Sequence, residues 1–198
     1  MKLRTRTFSS EEKEEIRLQM IEAGLPLLKE KGMTHMSITK LTASVGIGKS
    51  TFYSFYDSKE AFVEDMLKHH RKKILEKLRT GLCGKEKYTK EESIKLIRGM
   101  ITSANNVYQH FSQEDELALQ SMHEKNGTPY LDLERERSVI DRICSMMEGV
   151  KKELDYAVIA NMMKIIVFTS EQKKLLHESG YERTQEALVD ALIQKIFE

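Results

Sequence analysis

Hydrophobic residues recur along this chain at spacings of three and four, which is the period of an amphipathic α-helix. No segment alternates polar and apolar residues over the length of a strand. We therefore predict an all-α fold of about nine helices, with short helices first and longer ones after. Only two prolines and ten glycines among 198 residues agree with long helices and few turns.

The first helix is predicted to begin at Ser9 or Ser10 and to end at Gly32. Acidic residues fill its first turn, where the helix dipole favours them. Pro26 lies beside Gly24 inside this stretch and predicts a kink. The predicted buried side follows one apolar stripe, Ile16, Met20, Ala23 and Leu27.

Capping residues predict where the later helices begin. Asp57 is the expected cap of a fourth helix that reaches Gly81, since Asp57 and Glu60 have the types and spacing of a capping box. The next helices are expected to begin at Thr89, at Ser112, at the pair Thr128–Pro129, at Asp155 and at Glu182. Their expected ends include Phe111, Gly149, Gly180 and Phe197.

The segment from Ser37 to Tyr56 has the pattern of a helix-turn-helix. Ser37 is a suitable cap, and Ile38, Leu41 and Val45 then form a short inward stripe. Gly46 permits a tight turn. A second short helix is predicted to begin at Lys49, which gives two short helices joined by a glycine turn.

The second of these short helices has one aromatic side and one side of small hydroxyl residues. At 100° per residue, Phe52 and Tyr56 share the side that we predict to be buried. The opposite, outward side carries Ser50, Thr51 and Ser54, and Tyr53 and Phe55 lie on the flanks. Small polar side chains allow a helix to come close to base edges in the major groove of DNA.

Charge is unevenly distributed around this segment. The net formal charge of the chain is only +1, but residues 1–59 carry ten Lys and Arg against seven Asp and Glu. Residues 31–56 contain three lysines and no acidic residue. A basic surface on an otherwise near-neutral protein is typical of a phosphate-binding end.

With these residues in view, the segment resembles the TetR family of bacterial regulators. The resemblance covers roughly residues 14–68 and also includes the pattern Ala23, Leu27–Leu28 and Gly32 at the end of the first helix. It implies a three-helix DNA-binding domain, residues 1–57, and a larger helical domain, residues 58–198, that dimerises and binds an inducer. The matching residues are Ser37–Ile38, Leu41, Ala43, Gly46–Ile47, Lys49 to Tyr53, Tyr56 and Ser58 to Glu60.

The resemblance implies that Lys49 reaches phosphate or base, that Thr51 and Tyr53 contact phosphates, and that Lys59 binds a further phosphate with the amides at the start of the fourth helix. Gly48 departs from the family pattern because it stands where a capping Ser is usual. Ser50 replaces a common Gly and Phe55 a common His. The complete predicted DNA-binding set is Ser37, Thr39, Lys49, Ser50, Thr51, Tyr53, Ser54, Phe55 and Lys59.

Residues 43–50 also fit a relaxed Walker A pattern that ends in Lys49–Ser50. A phosphate-binding loop needs a strand before it and a long helix after it. The segment before it has a helical pattern, and the helix after it is expected to end by Asp57. A nucleotide-binding function is therefore disfavoured.

In the second domain, methionines are the most conspicuous residues. Most are expected in the core, since Met fills irregular gaps, but Met also lines adaptable ligand pockets. Ile166 and Leu192 are expected in a dimer interface built from the last two helices. The candidate walls of a pocket for a small effector of unknown identity are Met100, Asn105, Tyr108, Met122, Met163 and Phe168.

Other functional classes receive little support. Cys83 and Cys144 lack the spacing of a metal site, and His69 and His70 point about 100° apart on a helix. No nucleophile–base pair or carboxylate pair is evident, so we expect no enzyme, no cofactor and no metal. The chain shows no signal-peptide core and no apolar run of about 18 residues, and it is expected to be cytoplasmic. We therefore expect a sequence-specific DNA-binding transcriptional regulator, a homodimer on a palindromic operator that acts as a repressor released by a small-molecule effector. The alternative is a DNA-bound module that docks a protein and takes no small ligand.

Overall fold

The computed structural model describes residues 8–102 and 107–197, with the side chains of residues 102, 108, 109 and 171 excepted. The described residues form nine α-helices and two short 3-10 turns, and the all-α prediction is confirmed. The α-helices are α1 (Ser10–Lys31), α2 (Ile38–Val45), α3 (Lys49–Phe55), α4 (Lys59–Gly81), α5 (Lys90–Thr102), α6 (Gln113–Lys125), α7 (Leu133–Cys144), α8 (Tyr156–Glu171) and α9 (Glu178–Ile196). None of the described helices is both long and apolar enough to cross a membrane.

Several predicted caps are confirmed. Ser9 caps α1 in a capping box with Glu12, and Asp155 caps α8 by accepting from the Val158 amide. Thr89 accepts from the amide of Glu92 at the start of α5. In each case the side-chain oxygen satisfies an amide that has no partner within the first turn of the helix.

Other predicted boundaries are wrong. Ser58, rather than Asp57, caps α4, because its hydroxyl accepts from the Ala61 amide. The cap of α7 is Asp132, so the Thr128–Pro129 pair precedes the helix without starting it. The helix that begins at Asp155 ends at Glu171, well before Gly180.

The last helix also differs from the prediction. It begins at Glu178, which places Gly180 inside the first turn instead of in the connection. Among the described residues no side chain caps this helix, since His177 makes no capping hydrogen bond. A start without a capping side chain leaves no local sequence signal to mark it.

The first helix runs through Pro26 without ending there. Its buried residues are Met20, Ile21, Gly24 and Leu28, so Leu28 replaces the predicted Leu27. Gly24 is required by close packing on α4. A Cβ atom at position 24 would lie 2.8 Å from Cζ of Phe62, a distance that real side chains do not tolerate.

The chain divides into two compact units. The first comprises the described residues up to His70 together with His110–Met122, and the second comprises the described residues of Arg71–Gln109 and of His123–Glu198. The division falls within α4 and α6. The predicted domain boundary between residues 57 and 58 stays a prediction, because a compact unit and a functional domain are different divisions of a chain.

Large side chains without solvent contact form the core of the first unit. Phe52 of α3 and Phe62 of α4 are fully buried there, as is Leu41 of α2. Further fully buried apolar side chains of this unit include Met20, Leu28, Met33, Val63 and Met66. Burying such side chains stabilises the three-helix arrangement by roughly 1.5–3 kcal/mol each.

The second unit has its own core, which α5, α7, α8 and α9 form together. Ile166 and Leu192 are 1% and 0% exposed inside it. The prediction that these two residues form a dimer interface is therefore wrong, since they pack within a single chain.

Both cysteines are free thiols, and burial raises the pKa of Cys144 to about 11.

Candidate nucleic-acid interface

A glycine turn sets the angle between α2 and α3. Gly46 has φ 72° and ψ 26°, in the left-handed region that side chains disfavour. Its amide donates to the Ala43 carbonyl, and the Ile47 amide donates to the Thr42 carbonyl at 3.0 Å. Only three residues therefore separate the end of α2 from the start of α3.

The inward side of α3 is aromatic, as predicted. Phe52 is fully buried and Tyr56 is 9% exposed. The ring of Phe52 lies 5.6 Å from that of Tyr56 and 5.5 Å from that of Phe62, and the Phe52–Phe62 pair is edge-to-face. Such pairs add to the stabilisation from burial alone. The helix α3, which we call the recognition helix, is thus packed into the core of the first unit through its aromatic side.

The outward side of α3 is polar and accessible. Lys49, Ser50 and Ser54 are exposed, and Tyr53 is 53% exposed. Thr51 and Phe55 are only partly exposed, in keeping with Phe55 on a flank. The Ser54 hydroxyl donates to the Thr51 carbonyl at 2.6 Å. The predicted DNA-contact residues of α3 are therefore all exposed or partly exposed.

The remaining predicted contact residues lie on α2 and α4. Ser37 caps α2 by accepting from the Lys40 amide at 3.3 Å, and Thr39 is exposed in the first turn of that helix. Lys59 is half-buried at the start of α4, and its ammonium donates to the backbone carbonyl of Thr34. An ammonium has three donors, so this bond leaves two for a phosphate.

The start of α3 lacks a side-chain cap. Gly48 occupies the cap position with φ −85° and ψ 158°, the extended conformation that capping residues adopt. Because glycine has no side chain, the first amides of α3 receive no capping hydrogen bond from it. The departure from the family pattern at this position is therefore visible as a missing interaction.

Three side chains from different parts of the first unit join α1, α3 and α4. The Arg17 guanidinium donates twice to the Asp65 carboxylate, each time at 2.7 Å. The hydroxyl of Tyr56, at the end of α3, donates to the same carboxylate at 2.8 Å. Arg17 and Asp65 are not predicted from the sequence, because residues 48 positions apart show no spacing that would pair them.

This network shifts the titration of its members. Burial alone would raise the pKa of Asp65, but the hydrogen bonds from Arg17 and Tyr56 and the positive charge of Arg17 outweigh burial and lower it. Burial and the hydrogen bond to Asp65 raise the pKa of Tyr56 well above its usual range. The carboxylate is therefore ionised and the phenol neutral at physiological pH.

The predicted effector-pocket residues are not gathered in one described cavity. Met163 and Phe168 are exposed at 38% and 46%, so in a single chain they do not form the wall of an enclosed pocket. Met100 packs against the core of the second unit, whereas Met122 belongs to the first. Asn105 and the side chain of Tyr108 lie outside the described residues.

The structure does not support a phosphate-binding loop at the Walker A pattern of residues 43–50. Residues 43–45 are the last turn of α2, a helix, and the helix after the glycines, α3, has only seven residues. A phosphate-binding loop would follow a strand and lead into a long helix. The two glycines belong to a helix-turn-helix instead.

Comparison with known proteins agrees with this geometry. Residues 20–66 match the model of bacterial regulatory proteins of the tetR family. A search of curated proteins finds no match to the chain. The matched region contains α2, the glycine turn, α3 and the Tyr56–Asp65 hydrogen bond.

Solved structures share the fold. The reduced form of NemR from E. coli is 16% identical over 91% of this chain and 97% of its own, with a TM-score of 0.57. A TetR-family transcriptional regulator from Cytophaga hutchinsonii is 19% identical over 97% and 98%, with a TM-score of 0.56. At these identities the likeness concerns the fold. The match over residues 20–66 shows a domain of the tetR family of bacterial regulatory proteins in this part of the chain, and the solved structures show that the chain shares the fold of these two proteins.

Proposed function

We propose that this protein is a transcriptional regulator that binds a palindromic DNA operator as a homodimer, acts as a repressor, and is released by a small molecule. The observation that carries the proposal is the two-sided form of α3, with buried aromatic rings on one side and small polar side chains beside Lys49 on the other. A helix of this form can enter the major groove while its inner side stays in the core.

Each predicted contact residue has a proposed role. Ser50 and Ser54 read base edges, with Phe55 against a thymine methyl at the flank. Lys49 reaches phosphate or base, and Thr51 and Tyr53 bind backbone phosphates. Ser37, Thr39 and Lys59 lie on the two adjacent helices and contact the phosphates on either side of the groove.

The proposed dimer uses exposed apolar side chains of the second unit. Ile165 and Phe168 lie one turn apart on α8 and are about half exposed. On α9, a shallow concavity of about 420 Å³ is lined by Gly180, Arg183, Thr184, Ala187 and Leu188. In a two-fold interface each contact occurs twice, so we propose that Phe168 of each chain packs into this concavity of the other.

Such a dimer would place two recognition helices about 34–36 Å apart, one turn of DNA. An effector that binds the second domain would act through its different affinities for the DNA-bound and released states. The proposal of an effector rests on the similarity to the tetR family and not on a described cavity. If a protein, and not a small molecule, released this chain from DNA, the alternative function of a DNA-bound module that docks a protein would replace the effector-controlled repressor.

The test is selection from a random pool of duplexes by the full chain. We expect a palindrome with two half-sites and an affinity that falls steeply as salt rises, because Lys contacts release counterions from the phosphates. Lys49→Ala should weaken binding to the selected duplex, whereas Lys152→Ala, an exposed lysine of the second unit, should not. Failure of the wild-type protein to select any sequence would contradict the proposal.

A further inference from the structure

A buried carboxylate from α6 reaches the connection between α1 and α2. Asp115 is 1% exposed. Its carboxylate accepts from the Met33 amide at 3.2 Å, from the Thr34 amide at 2.6 Å and from the Thr34 hydroxyl. It also accepts from the Ser112 amide at 3.0 Å, within the capping arrangement of α6. A buried charge requires this many donors to offset its lost hydration.

These hydrogen bonds keep the carboxylate charged. Burial alone would raise the pKa of Asp115, but the donors from Thr34, Ser112 and Met33 outweigh it and lower the pKa. The approach is close on every side. At Gly32, where φ is 72°, a Cβ atom would lie 2.8 Å from a carboxylate oxygen of Asp115. Position 32 therefore admits only glycine while Asp115 occupies this place.

Thr34 connects Asp115 to a predicted DNA contact. Its amide and hydroxyl donate to Asp115, and its carbonyl accepts from the Lys59 ammonium. The two peptide groups that flank Thr34 are thus fixed, one by a carboxylate and the other against an ammonium. All three residues belong to the first compact unit.

We propose that Asp115 is a positioning residue for DNA binding, which acts by fixing Thr34 so that the Thr34 carbonyl holds the Lys59 ammonium where it binds a phosphate. This inference rests on the proposed function, since it requires that Lys59 contact DNA. The helix α6, which the resemblance places in the second domain, thereby positions one residue of the DNA-binding surface without itself touching DNA.

Removal of the Asp115 charge has two opposed consequences for DNA binding. Long-range electrostatics alone would strengthen binding, because a negative charge is removed from a protein that binds a polyanion. Loss of the fixed Lys59 ammonium would weaken it. The sign of the effect therefore separates the positioning role from a general effect of charge.

The experiment measures affinity and its salt dependence for a duplex selected from a random pool by the wild-type protein. Asp115→Asn should lower affinity about tenfold per protomer near 0.1 M salt and reduce the salt slope by about one per protomer, the contribution of one phosphate contact. Lys59→Gln should do the same. In the double variant the two effects should not multiply, because both remove the same contact.

Glu114→Gln is the matched control. Glu114 is the neighbouring residue, its side chain is 65% exposed, and the change removes the same charge. We expect it to leave affinity unchanged or slightly raised. Wild-type affinity in Asp115→Asn, or effects of Asp115→Asn and Lys59→Gln that multiply in full, would overturn the proposal.

A second pair of variants covers a failure of Asp115→Asn to fold, which a melting curve would show. Thr34→Val removes the hydroxyl donor and should weaken binding with a reduced salt slope, while Thr34→Ser keeps the donor and should restore both. Equal binding by these two variants would overturn the proposal. A wild-type protein that selects no sequence would instead contradict the proposed function itself.

Discussion

Arg17 and Asp65 join α1 to α4 through two parallel hydrogen bonds, both 2.7 Å long. Tyr56, the last residue before α4 to be buried, donates to the same carboxylate. The recognition helix is therefore fixed at its end by a charged network as well as along its length by aromatic packing. Bidentate pairs between Arg and a carboxylate are the strongest of the common ion pairs.

Asp65→Asn should lower the free energy of unfolding by about 1–3 kcal/mol, because it weakens three hydrogen bonds to a charged acceptor and leaves Arg17 partly buried without its counter-charge. Urea unfolding checks the value. Glu14→Gln is the control, since Glu14 also pairs with Arg17 but its side chain is 58% exposed. A surface pair contributes little, so its loss should be close to zero. Equal losses in both variants would contradict the assigned role of Asp65.

The pKa of Asp65 predicts how stability depends on pH. Because its folded-state pKa is below the ordinary value of 3.8, the network stabilises the fold above pH 3.8 and this contribution is lost as pH falls through the lower folded-state pKa. The unfolding free energy should therefore fall below pH 4 more steeply in the wild type than in Asp65→Asn. Titration of the carboxylate carbon by NMR would measure the pKa directly, and a value above 3.8 would contradict the network.

Gly48→Ser should stabilise α3 by a few tenths of a kcal/mol, because a serine hydroxyl can accept from an early amide of the helix. The site has room for the change, since within the described part of the chain a Cβ atom at position 48 would meet only the Ser50 hydroxyl, at 3.6 Å. Slower hydrogen exchange of the α3 amides would report the added cap. Exchange that stays unchanged or becomes faster would show that the cap does not form.

Much of the helix-turn-helix, residues 37–56, could be predicted from sequence because its signals are local. The Ser37 cap, the Gly46 turn and the spacing of Phe52 and Tyr56 all lie within twenty residues, and each has a direct conformational consequence. The pairing of Asp65 with Arg17 and of Asp115 with Thr34 could not be predicted, since these partners lie 48 and 81 positions apart. The direction of a long-range hydrogen bond depends on helix packing, which periodicity does not specify.

In the second unit, too, helix packing could not be predicted from the spacing of apolar residues. The apolar spacing along α8 and α9 predicted helices there, and the helices are present. It could not tell which apolar side faces the core of the chain and which stays exposed, because both Ile165 and Ile166 fit a helical stripe. The structure buries Ile166 and exposes Ile165 at 48%.

That difference makes the dimer interface testable. Phe168→Glu should give monomers in sedimentation at micromolar concentration without loss of helicity, because a charge on an exposed position does not enter the core. Ile166→Ala is the comparison, since it should lower stability by about 2–5 kcal/mol and leave the folded protein dimeric. A dimer that survives Phe168→Glu would contradict the proposed interface.

Recognition of DNA sequence by the outward side of α3 is tested most directly by a variant of this side that selects a different DNA sequence. Ser50→Asn places a side chain suited to adenine on the exposed side of the helix. Selection from a random pool should then give a palindrome that differs from the wild-type palindrome at one symmetric position in each half-site, while Lys152→Ala selects the wild-type palindrome. Identical palindromes for wild type and Ser50→Asn would contradict the claim.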